Sequence, residues 1–587
     1  MSTEGIFLIT TADERTWDVN RKIVFLGGWC LRYDRKNIWN QLNSEIAPPY
    51  GLELNVKLKN RDLSESIQSS LLPIIVKVLN NQHNTHHSLN FWKTMVGHWL
   101  KYFVDVIINR HQTLIQVNKQ FEITGSKFIE LSASSFIPTN TLDMINSLKW
   151  DAWNSTLDLR VIQNTDELNF STTTISDLTS NSKPFHKVDR KHTESTIPSY
   201  IKKFCNLFVR SSEPFIISSY LPTWQEIKLQ LSYGQVPKFW RNSQHHSMNV
   251  DPDLLLRKRL TKQILLDEDN VFTRLVFELM PICFLEGFAD LSSQVKNTNW
   301  PRKPKFIFTS NDFAFNETFK LYSALCQERG TKYFVGQHGN NYGTNRFSVT
   351  KVEESTSDFF LTWGWQNQNE STLPAYVFKV AGLRVENDKK GDLLLLEYPY
   401  EDRLTTWDTD REHQIYFDNL LLFIGLLDEK PLKHLKVRLR YESSTDSFNS
   451  KQRLIESFPT IRIEYWEQPI LQQYKNSRLA IFTYDSTGIL ESLALNIPTI
   501  AFWQNGFDHL NETAKSHYQL MVDAGIFHLS PESIAETINT MWEDVDSWWK
   551  QDSIQFARKT FCEQYARTSR SPIRDLRKLL KETTYED

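Results

Sequence analysis

Short runs of Ile, Leu, Val and Phe recur along this sequence, and most stop abruptly at Gly, Ser, Thr or Asn. GIFLIT (5–10) and KIVFLGGW (22–29) come first; KFIFTSN (305–311), KYFVGQHG (332–339), DFFLTWGW (358–365) and VFKVAGL (377–383) follow much later. A second series begins at GDLLLLEYPY (391–400) and continues with LKVRLRY (435–441), IRIEYWE (461–467), LAIFTYDSTG (479–488) and IPTIAFW (497–503). Runs with so little polar alternation suit parallel strands buried on both faces, whose loops open at the carboxyl ends. FNETFKLYSALCQERG (315–330) has helical spacing and lies between two runs, which makes one βαβ unit.

A chain of 587 residues is too long for one core. The reading is α/β, two Rossmann-like domains facing across a cleft, with a helical insertion in the N-terminal half. Residues 1–385 form the first Rossmann-like domain, with the insertion at about 60–300, where SLLPIIVKVLNN and FWKTMVGHWLKYFVDVIINR have helical period. The charged linker VENDKKG carries the boundary near 386, and 386–545 form the second Rossmann-like domain. Residues 546–587, with Trp548 and Trp549, are helices expected to pack back across the domains. The Ser-, Thr- and Asn-rich stretch 165–200 reads as a surface insertion, and no repeat of 20–50 residues is visible.

Sixty-seven Lys and Arg against 70 Asp and Glu leave a net charge of -3, so no global field favours nucleic acid, and any anion must be caught locally. Five scattered cysteines fit neither a disulfide framework nor a zinc site. MSTEGIFLIT lacks a basic leader, and LLLFIGLL near 420, bounded by Asp418 and Asp428, reads as a buried helix. The expected setting is cytoplasmic. Neither a dinucleotide glycine fingerprint nor a Walker lysine pattern occurs, which disfavours hydride transfer and P-loop hydrolysis.

The strand LAIFTY runs into Asp485-Ser486-Thr487-Gly488 and then a helix with Leu490, Leu493 and Ala494 on one stripe. Unsatisfied N–H groups and the dipole at such a helix start can receive a phosphate; equally, Ser486 or Thr487 can simply cap it. Glu491, four residues after Thr487, can accept from ribose hydroxyls. In TKYFVGQHGNNYG, Gly336, Gly339 and Gly343 surround His338 at a strand end, with Gln337, Asn340, Asn341 and Tyr342 as further polar groups. The glycines permit positive φ or close approach to a ligand, and His338 is a catalytic candidate. Arg438 and Arg440 share one face of a strand and are anion ligands or solvated edge residues. Thr10, Thr11, Glu14, Trp17, Gly27, Gly28, Trp29, Cys30 and Arg32 follow the first two strands. Of these, Thr10, Thr11, Trp29 and Arg32 suit an acceptor wall and Glu14 a general base. Trp92, His98 and Trp99 read as core.

FLITTADERTW, FLGGWC, FWKTMVGHWL, FVGQHGNNYG, FFLTWGW and DSTGILESLALNIPTI together resemble a bacterial family of surface-carbohydrate transferases from O-antigen and capsule clusters. The resemblance covers most of the chain outside 120–250 and implies a GT-B glycosyltransferase. The GQHG loop and Ser-Thr helix end are also similar to capsule-type Kdo transferases and teichoic acid glycerophosphotransferases. That resemblance implies a cytidine nucleotide, from a CMP- or CDP-activated donor, held by Ser486, Thr487 and Glu491, with His338 beside the transferred group; Gln337, Gly339, Tyr342, Arg438, Arg440, Asp485 and Gly488 complete the expected donor site by their positions. A nonulosonic acid or Kdo is the donor expected. The acceptor is a glycan or lipid-linked glycan, with peripheral contact at the inner membrane face, no metal and no cofactor. The His-Pro that many such enzymes carry after the strand VRLRY is missing here. A polyol-phosphate transferase, a sugar-nucleotide epimerase and a non-catalytic scaffold of glycan assembly are the alternatives.

Overall fold

The computed structural model describes residues 5–176, 205, 208–240, 250–265, 268–347, 351–398, 403–408, 413–439, 448–465 and 468–582. Its strands form three parallel sheets. The first holds β1 (Ile6–Ile9), β2 (Ile23–Phe25), β3 (Ser44–Ile46), β4 (Ile123–Glu130) and β5 (Ser171–Ser176) in the order β3-β2-β1-β4-β5. The second holds β6 (Phe215–Ile216), β7 (Phe306–Thr309), β8 (Lys332–Gly336), β9 (Phe359–Thr362) and β10 (Thr372–Pro374), in simple sequential order. The third holds β11 (Asp392–Leu396), β12 (Leu435–Leu439), β13 (Arg462–Tyr465), β14 (Ser477–Phe482), β15 (Thr499–Phe502) and β16 (Phe527–His528), ordered β13-β12-β11-β14-β15-β16.

The first and third sheets are doubly wound. Their strand order reverses between β1 and β4 and between β11 and β14, and ligands of such sheets sit at the carboxyl ends beside the reversal. The α/β class and parallel strands match the pattern of apolar runs, while the N-terminal strands divide between two sheets. Within 60–300 lie two long helices, Leu54–His83 and Leu89–Gln120, together with β4, β5 and β6. The second helix is central: Trp92, Trp99 and Phe103 are fully buried along it, each worth about 1.5–3 kcal/mol or more of burial, and Ser88 caps it through Phe91 N. LLLFIG of LLLFIGLL ends the helix His413–Gly425, whose buried face includes Leu420, Phe423 and Ile424, and Leu426 and Leu427 follow it.

VFKVAGL is not a strand. It forms a short turn of helix, Phe378–Val380, because Val377 N–H bonds to Arg567 O of the returning C-terminal segment and Gly382 turns the chain at φ +70°. Residue 386 falls in the link between β10 and β11. Of the C-terminal helices, Asp552–Tyr565 packs on the third sheet's helices and Pro572–Glu582 on the helix Thr223–Ser232 of the second. Residues 177–200 of the Ser-, Thr- and Asn-rich stretch lie outside the described residues. Among the described residues no helix is long and apolar enough to cross a membrane, and no cluster of His, Cys, Asp and Glu is arranged to hold a metal.

Candidate active site

The loop after β8 is built by Gln337. Its buried side chain donates to Gly339 O at 2.8 Å and accepts from Trp363 N at 2.9 Å and Trp365 Nε1 at 2.8 Å. The sequence assigns Gln337 to the donor, but these bonds make it the scaffold of the loop. The glycines likewise serve the protein's own packing. A Cβ at Gly336 would lie 2.4 Å from Ser310 Oγ, one at Gly343 (φ +70°) 2.4 Å from the Trp365 ring, and one at Gly339 2.9 Å from Thr487 Oγ1.

This scaffold presents His338 half-buried. Tyr342 donates its hydroxyl proton to Glu353, so the phenol oxygen accepts from Nδ1–H of His338 at 2.8 Å. The proton thus sits on Nδ1, and Nε2, without a partner among the described residues, carries the lone pair. Tyr342 is fixed from both sides, with Lys351 Nζ 3.3 Å from its ring centroid. It is therefore a buried support for His338 and not a surface donor ligand. Burial lowers the His338 pKa to about 4 against the pull of Glu353, and Lys351, Lys379 and His98 add to the lowering. The imidazole is neutral at pH 7. His98, core as expected, has Nε2 3.7 Å from Glu353. Opposite His338 lies Tyr220, at 6.4 Å between ring centroids, on a loop where Ser218 and Tyr220 both take positive φ. Left-handed backbone at two non-glycine residues is uncommon and concentrates at functional loops.

The helix Thr487–Ala494 starts directly against this loop. Asn340 N donates to Thr487 Oγ1 at 3.0 Å, and Asn340 Nδ2 to Asp485 Oδ1 at 2.8 Å. Asp485 also accepts from Tyr518 at 2.8 Å and lies 3.1 Å from His509 Nε2, so its carboxylate is a buried tie and not a donor ligand. Ser486 is buried and caps Ile489 N at 3.4 Å, the structural one of its two readings. Gly488 is required by strand packing, since a Cβ would lie 2.5 Å from the Phe482 ring. The N–H groups of Thr487 and Gly488 have no acceptor among the described residues, and these first-turn donors can take an anion. Glu491 is engaged by Lys379 Nζ at 3.0 Å, a residue hidden in sequence inside VFKVAGL. Burial disfavours the charged form of Lys379, but Glu491 and Tyr220 outweigh it and the pKa is raised, so the cation persists.

Arg438 donates to Gln473 Oε1 at 2.6 Å, and Arg440 lies outside the described residues. At the first sheet, Thr10 and Thr11 are fully buried, Thr10 O and Thr11 O accepting from Trp29 Nε1 and Trp17 Nε1 at 3.1 and 3.0 Å. Glu14 pairs on the surface with Arg35 at 2.8 Å, and Arg32 pairs with Asp34 at 3.0 Å. The structure brings neither to the His338 loop. What occupies this edge is Arg403, from the segment after β11. It crosses to the first sheet, lies 4.7 Å over the Trp29 ring and grips buried Asp158 at 2.8 and 2.9 Å. Beside it Asp151 accepts from Ala12 N at 2.8 Å, and burial pushes its carboxyl up to about 7.

Parallel sheets whose strand-end loops meet, a neutral histidine opposite an open helix start, define an α/β enzyme of the group-transfer class. The chain belongs to the LIC12162 family of transferases, whose profile matches residues 6–580. Solved structures similar to it include TarM, at 10% identity over 48% of this chain and 54% of that one with a TM-score of 0.28. A glycosyltransferase from Rickettsia africae ESF-5 has 13% identity over 65% and 100% of the two chains and a TM-score of 0.34. The wall teichoic acid polymerase TagF has 11% identity over 50% of this chain and 85% of that one, with a TM-score of 0.27. Likenesses this weak say nothing of its substrate. No curated protein matches the sequence.

Proposed function

We propose that the protein is a GT-B glycosyltransferase that moves a sugar from a nucleotide-activated donor to a bacterial surface glycan. The reading rests on one observation, the hydrogen-bonded junction of Asn340 with Thr487 and Asp485, which joins the His338 loop to the helix start. The donor's phosphate lies against the N–H groups of Thr487 and Gly488, with Lys379 as the nearby cation. An acceptor hydroxyl gives its proton to Nε2 of His338 while its oxygen bonds to the anomeric carbon, and the bond from that carbon to the phosphate breaks. The nucleotide leaves with the negative charge, which the helix dipole and Lys379 offset without a metal. A base of pKa about 4 is weak, but the anionic donor beside His338 raises that value toward the useful range.

The donor we propose is a CMP-activated nonulosonic acid or Kdo, and the acceptor a glycan or lipid-linked glycan of O-antigen or capsule at the cytoplasmic membrane face. Calorimetric titration with CMP, CDP, UDP and GDP tests the nucleotide site, and absence of binding by all four removes the proposal. His338→Asn should bind the nucleotide as wild type does and lose turnover. A phosphodiester in the product would identify a polyol-phosphate transferase instead.

A further inference from the structure

Two neighbouring helices on the second sheet carry a surface that the transfer reaction does not use. Between 567 and 581 stand Arg567, Arg570, Arg574, Arg577, Lys578 and Lys581 against the single acid Asp575, in a protein of net charge -3. The helix Pro572–Glu582 buries Leu576 and Leu580 completely, in the cluster that holds Phe308 and Leu361. Arg574, Lys578 and Lys581 follow helical spacing on the opposite, exposed side, and Arg570 is exposed just before the helix. The adjoining helix Thr223–Ser232 buries Leu229 in the same cluster. Its outward positions at the same spacing are Trp224, 63% exposed, Lys228, and Leu231, 54% exposed. Both helices anchor in one cluster and pack on each other, so the two stripes belong to neighbouring helices of one layer.

We infer that this face docks on an anionic lipid bilayer. Clustered cations are drawn to acidic headgroups, and an exposed Trp and Leu beside them are the groups that enter the headgroup boundary. A polyanion in solution would be held by the cations alone, whereas a bilayer also takes up Trp224 and Leu231. The segments that carry this face start beside the strand-end loops of the second sheet. Arg567 N donates to Trp363 O at 2.8 Å at the carboxyl end of β9, and Trp224 begins the helix that follows the Tyr220 loop. The inference stands on these helices alone and extends the proposed membrane-linked acceptor by naming the surface that meets the lipid.

Co-sedimentation of the full chain with phosphatidylglycerol–phosphatidylcholine vesicles tests it. Wild type should bind at low salt, bind pure phosphatidylcholine poorly, and dissociate at about 0.5 M salt. Replacing Arg570, Arg574, Lys578 and Lys581 by Gln should lower partitioning by roughly fivefold per residue, with the melting temperature unchanged. Trp224→Ser with Leu231→Ser should lower it further at both salt concentrations. No binding to the acidic vesicles, or undiminished binding by the four-Gln variant, overturns the proposal. So does full retention of binding after the Trp224 and Leu231 changes, which marks a purely electrostatic receiver of soluble polyanions. Nucleotide titration of the same preparations keeps this outcome separate from that of the transferase reading.

Discussion

Asn340 Nδ2 lies 2.8 Å from Asp485 Oδ1, joining the second sheet's histidine loop to the third sheet's helix start. Asp485 is held by Tyr518 and His509 as well, so the loop and the helix start form one unit. The base and the anion donors of the proposed reaction are therefore set against each other before any substrate arrives.

Asn340→Ala keeps the backbone N–H bond to Thr487 Oγ1 but removes the side-chain bond to Asp485, and should destabilise the protein by about 1–3 kcal/mol. Gly339→Ala leaves the bonds but places a methyl against Thr487 Oγ1, at 2.9 Å before relaxation. It should weaken nucleotide binding, read by calorimetry, by more than it lowers the melting temperature.

His338→Asn should cost roughly 10²–10⁴ in kcat. Tyr342→Phe leaves the imidazole in place but removes the acceptor for its Nδ1 proton, and should cost about tenfold or more. The wild-type acid limb of kcat/KM should fall as pH drops through about 4, the value burial imposes on His338. The limb of kcat should sit at higher pH because the bound donor's charge favours the imidazolium. Coincident limbs would remove His338 from the role of base.

Asp158→Asn leaves Arg403 buried without a counter-charge, and such removals cost about 3–5 kcal/mol. Arg110 also lies near, its Nε 3.7 Å from Asp158. Urea unfolding should show the loss. Double replacement of Arg403 and Asp158 by apolar residues should recover part of it.

Glu226 accepts from Ser219 beneath the Tyr220 loop, and burial pushes its carboxyl up to about 7. The unfolded chain releases that proton near 4.5 and the folded protein near 7, so the folded state binds the extra proton in between. This group's contribution to stability therefore declines as pH rises across the window. Glu226→Gln should gain on wild type by about 2 kcal/mol between pH 5 and pH 8. Chemical denaturation at both pH values measures it.

The sheet strands KFIFTS, KYFVG, LLLL and LAIF are legible because their apolar residues are contiguous. β5, STTTIS, is an exposed edge of polar residues, and β6 has only two residues, so neither leaves an apolar signature. His338 and the DSTG turn stand out through local composition. The partners that give them meaning do not: Glu491 and Lys379 are distant in sequence, and Arg403 meets Asp158 across 245 positions. The glycines of the histidine loop mislead for the same reason, since Trp365 and Thr487, which demand Gly343 and Gly339, lie outside that motif.

Leu576 and Leu580 close the cluster under the second sheet, although its strands were made some two hundred or more residues earlier. On the ribosome, that sheet must wait with an uncovered apolar side while the third sheet is synthesised. Emergence of the closing helix, after the third sheet, is then the step that completes the histidine-bearing layer. Loss of residues 572–582 should harm solubility more than a surface helix of that length ordinarily would.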